Sequence, residues 1–165
     1  MKAPLGRLFL TSPVLWLATG FGAGLSPWAP GTVGTALGVL IFLGSMRLPM
    51  TSYLLMAALG FVLGTWLCSA AARLLDEHDH PAVVWDEVIG YLLTMLPVIW
   101  LHRPATGPVL LAGFILFRVF DILKPWPISW IDRRVTSGFG GMADDALAGL
   151  AAAAVLRLGL ALTGW

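Results

Sequence analysis

The chain alternates long apolar segments with short polar loops, and the apolar segments follow no alternating two-residue pattern. They therefore predict helices rather than strands. The first, Leu8–Leu25, is broken by Pro13, Gly20, Gly22 and Gly24. It reads as an interfacial or re-entrant helix, and not as a signal peptide, because the segments after it are themselves membrane-like. A rigid Pro/Gly turn at Ser26–Thr35 then opens a helix over about Thr32–Leu48, with Thr32 as its cap. Tyr53–Leu75 is long enough to cross a bilayer core, which takes about 20 residues. Val88–Leu101, interrupted by Pro97, and Gly107–Phe120 are two shorter arms. At about 21 Å each as helix they fall short of a full span, so a tilted, broken or shallow hairpin is expected. Ala146–Leu162 is the final helix.

Counting these segments as passes gives a topology. If 32–48 pairs with 53–75, and 88–120 forms a second hairpin, then the loops at 26–32, 76–87 and 121–145 return to one side. Only the tips near Arg47 and His102–Arg103 face the other way. The predicted fold is all-α: a multihelical integral membrane protein of helical hairpins, with its polar loops gathered on one membrane face. Residues 1–165 are read as one domain. Lys2 and Arg7 favour a cytoplasmic orientation for that face. Gly34/Gly38 and Gly60/Gly64 are spaced for close helix contact.

Composition agrees with this pattern. Hydrophobic residues make up 58% and charged residues 12% of the 165 positions, against about 25% charged in soluble domains. Mean hydropathy is +0.86. A net charge of +1 gives no reason to expect a nucleic-acid partner. The single cysteine, Cys68, excludes an intrachain disulfide and reads as a small buried hydrophobe.

The placement of the acids changes the picture more than their number. All nine lie between Asp76 and Asp145. In an apolar protein such clustered charges need partners or a task, although the aqueous loops of a membrane protein would also hold them. Asp86–Glu87 opens a predicted helix, where carboxylates suit the dipole. Asp144–Asp145 has the same form after Gly138, Gly140 and Gly141, and Asp121 lies in a third loop. Two acidic pairs and a fifth carboxylate make a hard-metal site, for Mg²⁺, Ca²⁺ or Mn²⁺. His78-Asp79-His80 leaves a transition metal open as the alternative. Arg118, Asp121 and Lys124 recur every three residues. They form either an intrahelical salt bridge or a phosphate clamp built from a guanidinium fork and an ammonium. Arg133 and Arg134 suit anionic headgroups at the rim, and Trp126 and Trp130 suit a membrane interface.

Four blocks resemble the bacterial phosphatidylglycerophosphatase A family, in that family's order. They are Gly22–Thr35, His78–Gly90, Phe117–Ile128 and Gly138–Gly149. The resemblance implies a phosphatase that needs Mg²⁺ and converts phosphatidylglycerophosphate to phosphatidylglycerol and inorganic phosphate. It further implies a bacterial inner-membrane protein whose active site faces the cytoplasm and whose partners are this substrate and the lipid bilayer, with homo-oligomerisation open. On this expectation Asp86, Glu87, Asp144 and Asp145 supply most metal ligands, with Asp121 beside them. Asp79, His80, Asp121, Lys124 and Asp145 carry the chemistry, Asp79 as ligand or base and His80 as proton donor. Pro30, Gly31, Thr32, Arg118, Lys124, Arg133 and Arg134 contact the substrate. Direct water attack is the default route and an aspartyl-phosphate intermediate its competitor. Other classes stay in view: a phosphatase acting on another lipid phosphate, a small ion or metal transporter, and a non-catalytic scaffold.

Overall fold

The computed structural model describes residues 9, 11–77 and 80–163. Every regular element among the described residues is helical. Helix α1 spans Pro13–Ala18, with Ser12 capping it through the Leu15 N–H. Gly20, Phe21 and Gly22 then take positive φ, so the first apolar stretch is a short helix and a sharp turn. Leu15 and Ala18 dock on Leu67 and Ala71 of the long helix that follows in the chain.

Helix α2 covers Pro30–Ser45 and α3 covers Met50–Leu75. The cap of α2 differs from expectation. Ala29, in a left-handed conformation, precedes Pro30 at the first helical position, a place where the missing proline N–H costs nothing. Thr32 is therefore inside the first turn, and its N–H donates to the Ala29 carbonyl at 2.9 Å. Helices α4, Trp85–Thr94, and α5, Leu96–Trp100, form the broken arm. The break falls at Met95, because Pro97 cannot continue the α4 hydrogen-bond ladder.

Helix α6 runs Gly107–Leu123, α7 Ile128–Arg134 and α8 Gly138–Thr163. The start of α8 is the largest departure from the sequence pattern. It begins at Gly138 and not at Ala146, so Asp144 and Asp145 lie more than one turn inside the helix. Three glycines are poor helix formers, each costing about 1 kcal/mol relative to alanine. Here tertiary contact overrides that preference: a Cβ on Gly138 or Gly140 would collide with Ser69 or with the Val135 carbonyl.

Helix α4 lies at the centre of the bundle. It packs on α8, α2, α3 and α6, and Val88–Leu92 are all buried. Tyr53 and Tyr91 tie the layers together through hydrogen bonds to the Leu92 carbonyl (2.8 Å) and the Leu110 carbonyl (3.2 Å). Phe42 meets both rings edge-on. The expected glycine contacts are present: Gly38 abuts Tyr91 and Gly60 abuts Ile89. The closest crossing is that of Gly149 on α8 over the Gly90 carbonyl of α4, where no side chain fits. Cys68 is buried.

Helices α3 and α8 are long and apolar enough to cross a membrane. Leu55, Leu59 and Val62 on α3, Ile115 on α6 and Leu158 on α8 all point outward. The α2–α3 turn and the α5–α6 turn lie at one end of these helices, and the loops that carry the acids lie at the other.

Candidate active site

The cavity at the acidic end measures about 400 Å³. It is built by the start of α2, the end of α3 and the loop after it, the start of α4, the end of α6, Asp132 on α7 and the first turns of α8 with the segment before them. Its walls carry Asp86, Glu87, Asp121, Lys124, Asp144 and Asp145, together with Arg118, Pro30, Gly31 and His80. The predicted topology thus brings its acids together in one place.

Their grouping is more specific than expected. Asp86, Glu87 and Asp145 each place one oxygen within 4.8 Å of the others. Neighbours on a helix point about 100° apart, yet Asp86 and Glu87 converge. They sit in the first turn of α4, where Asp86 Oδ1 accepts the Glu87 N–H at 3.2 Å, and the glutamate has one more methylene to reach with. Asp144 lies outside this triad. Its Oδ2 accepts from Lys124 Nζ at 2.5 Å, and its Oδ1 is buried with no hydrogen-bond partner among the described residues. Glu87 Oε2 is in the same position. Buried oxygens without donors are costly. An all-carboxylate cluster with unused lone pairs therefore suits a hard divalent cation.

Two cations border the acids. Arg118 Nη1 bonds Asp121 Oδ2 at 2.5 Å, so the three-residue spacing does form an intrahelical pair. Lys124 departs from that ladder. It ends α6 in a left-handed conformation, which turns its ammonium away from Asp121 and onto Asp132 and Asp144, at 2.5 Å each. Burial works against the Lys124 charge, but these two hydrogen bonds outweigh it and hold the ammonium pKa well above the ordinary lysine value. The hydrogen bond from Lys124 in turn holds Asp132 below the usual carboxylate range. Burial, and then the neighbouring charges of Asp86 and Asp121, push the Glu87 carboxyl well above its usual range.

Gly31 explains the Pro/Gly turn. A Cβ there would collide with Glu87 Oε1 and lie 3.1 Å from Arg118 Nη1, so a bare backbone is needed where α2 meets the site. The expected anion nest at this helix start is reduced. Pro30 has no N–H, and the N–H groups of Thr32 and Val33 both go to the Ala29 carbonyl. His80 is at the cavity wall with Nδ1 accepting the Ala82 N–H at 3.1 Å, which leaves the proton on Nε2, 3.8 Å from Glu77. Asp79 is outside the described residues. Arg133 and Arg134 are exposed on α7 and do not line the cavity; Arg134 stacks over Trp130. Trp28 and Trp126, which lie close in the sequence to the lining residues Ala29 and Lys124, are more than four-fifths exposed.

Asp132, Glu77 and Gly141 also line the cavity, although the residues alone give them no role in the site. Asp132 reaches Lys124 only because the Pro125–Pro127 turn folds α7 back, a direction that the residues alone do not reveal. Gly141 lies 3.5 Å from Asp86 Oδ2 at the position where a Cβ would stand.

Residues 16–160 match the family model of phosphatidylglycerophosphatase A. The chain belongs to the phosphatidylglycerophosphatase A family. It is 40% identical to the phosphatidylglycerophosphatase A of Escherichia coli over 91% of this chain and 85% of that one. The Haemophilus influenzae phosphatidylglycerophosphatase A is also 40% identical, over 93% and 92% of the two chains. A Bacteroides thetaiotaomicron protein, provisionally named a phosphatidylinositol-3-phosphatase, is 38% identical over 84% and 87%. No solved structure matches. The chain is a phosphatase, which sets aside the transport and scaffold alternatives.

Proposed function

We propose that this protein hydrolyses phosphatidylglycerophosphate to phosphatidylglycerol and inorganic phosphate, with Mg²⁺, at the cytoplasmic face of a bacterial inner membrane, as a step of phospholipid biosynthesis. One observation carries the reading: a carboxylate triad from α4 and α8, with an arginine and a lysine from α6, lines one cavity, beside exposed tryptophans and outward-facing aliphatic residues. The acyl chains stay among the apolar helices while the headgroup enters the cavity.

Asp86, Glu87 and Asp145 hold the cation, with Asp144 at its side. When bound, it supplies positive charge against the phosphoryl oxygens and makes water a better nucleophile. Lys124 and Arg118 hold the phosphate, the first as a point charge and the second through its fork. Their charges also meet the charge that develops on the oxygens as the phosphorus–ester oxygen bond breaks. Water attacks phosphorus as the glycerol oxygen leaves; one water proton stays on the inorganic phosphate and the other passes to the glycerol oxygen, to which His80 Nε2–H donates a hydrogen bond. Asp132 keeps the Lys124 ammonium in place.

Phosphate release from purified protein in detergent tests the reading. Phosphatidylglycerophosphate should be turned over well ahead of phosphatidic acid and phosphatidylinositol 3-phosphate, and chelation should stop turnover. Preference for the inositol lipid would move the substrate to the one named for the Bacteroides relative. Full turnover in chelator would remove the metal.

A further inference from the structure

The carboxylates of the cavity do not form one ligand set. Three of them meet within 4.8 Å. Asp144 stands apart, is only 3% exposed, and presents a buried Oδ1 with no hydrogen-bond partner among the described residues. Its other oxygen is already committed to Lys124. The charge balance points the same way. Seven carboxylates line the cavity, against one guanidinium and one ammonium, and both of those are already paired with acids. A phosphate monoester brings a further charge of about −1.5 to −2. A single divalent ion leaves a strongly anionic chamber that must still admit an anion.

We propose that the cavity holds two divalent cations, one bound by Asp86, Glu87 and Asp145, and a second bound by Asp144 Oδ1 beside the substrate phosphate. This rests on the reading of the protein as a metal-dependent phosphatase and divides its metal site in two. The second ion is the more weakly held, since the described residues give it one unshared carboxylate oxygen. Its remaining positions fall to water and to substrate oxygens, as is usual for Mg²⁺. Hydrated divalent ions at such a site exchange readily, so Mn²⁺ is a suitable probe.

Equilibrium dialysis of the full-length protein in detergent against Mn²⁺, read by elemental analysis and electron paramagnetic resonance, tests this. The expected result is two equivalents per chain. Asp144→Asn should drop the count to one. One equivalent in the unaltered chain overturns the proposal, as does an Asp144→Asn variant that keeps two. A water at Asp144 Oδ1 in place of a metal gives that single equivalent. If Asp144→Asn does not fold, the count in the unaltered chain decides alone. The two readings fail separately. One equivalent together with hydrolysis of phosphatidylglycerophosphate removes only the second ion. Two equivalents without that hydrolysis remove only the substrate.

Discussion

Asp86–Glu87 and Asp144–Asp145 are the same motif in two settings. The first pair opens a ten-residue helix, where the dipole favours negative charge. The second lies inside a 26-residue helix, where intrahelical bonds already occupy the backbone N–H groups. The first pair stays together, with both side chains turned to one triad. The second pair divides: Asp145 joins that triad while Asp144 goes to Lys124. Two acidic dipeptides thus perform different work: at the helix start the longer Glu87 side chain lets neighbours converge, while in the helix interior the two aspartates stay about 100° apart.

Neutralising the shared triad should have the largest effect. Asp145→Asn and Asp86→Asn should each lower phosphate release by at least about 10²–10³-fold, and circular dichroism should show the helices intact. Near-normal turnover in Asp145→Asn would break the link between the two pairs. Lys124→Ala acts on the second pair only. It should lower kcat by about 10²-fold and leave Mn²⁺ binding at the triad in place. Loss of all bound Mn²⁺ in that variant would show that the pairs are not separable.

Gly31→Ala acts on the first pair, because its methyl group would displace Glu87 Oε1. A displacement of this kind costs up to about 10²-fold in turnover, and added Mg²⁺ should recover part of it. Unchanged kinetics and metal affinity would mean that α2 yields at no cost.

The smallest effect concerns pH. Glu87 is raised above its ordinary value of 4.5 by burial and by its acidic neighbours, so the folded chain holds this proton where the unfolded chain has released it. In chelator, the contribution of this group to stability is fully present below that ordinary value and is lost as pH rises toward the folded pKa. The melting temperature should fall, by about 2–4 °C for each kcal/mol at this chain length. Mg²⁺ should flatten the slope. A metal-free protein that melts higher as pH rises would reverse the assignment.

Much of this was legible in the residues. The apolar segments and their breaks predict the helices, the passes place the acids at one end, and the block around Phe117–Ile128 marks Arg118, Asp121 and Lys124. Element ends were less legible. The glycines before Asp144 read as a loop by propensity, and only their fit against Ser69 and Val135 makes them helical. Thr32 read as a cap because its hydroxyl suits one; Pro30 takes the first helical position instead.

The sequence by itself determined that the chain is helical and apolar, and that its carboxylates, Lys124 and Arg118 belong to one end. These follow from periodicity and from the parity of passes, which local chemistry controls. The tertiary structure decided which acids share a centre. That depends on how α4 and α8 rotate against each other, and the contact of Gly149 with the Gly90 carbonyl sets this rotation. It also decided that Lys124 serves Asp144 and Asp132 rather than Asp121, through a left-handed turn and a returning helix. A one-dimensional pattern specifies faces and ends, but the angle between two packed helices comes from their contact alone.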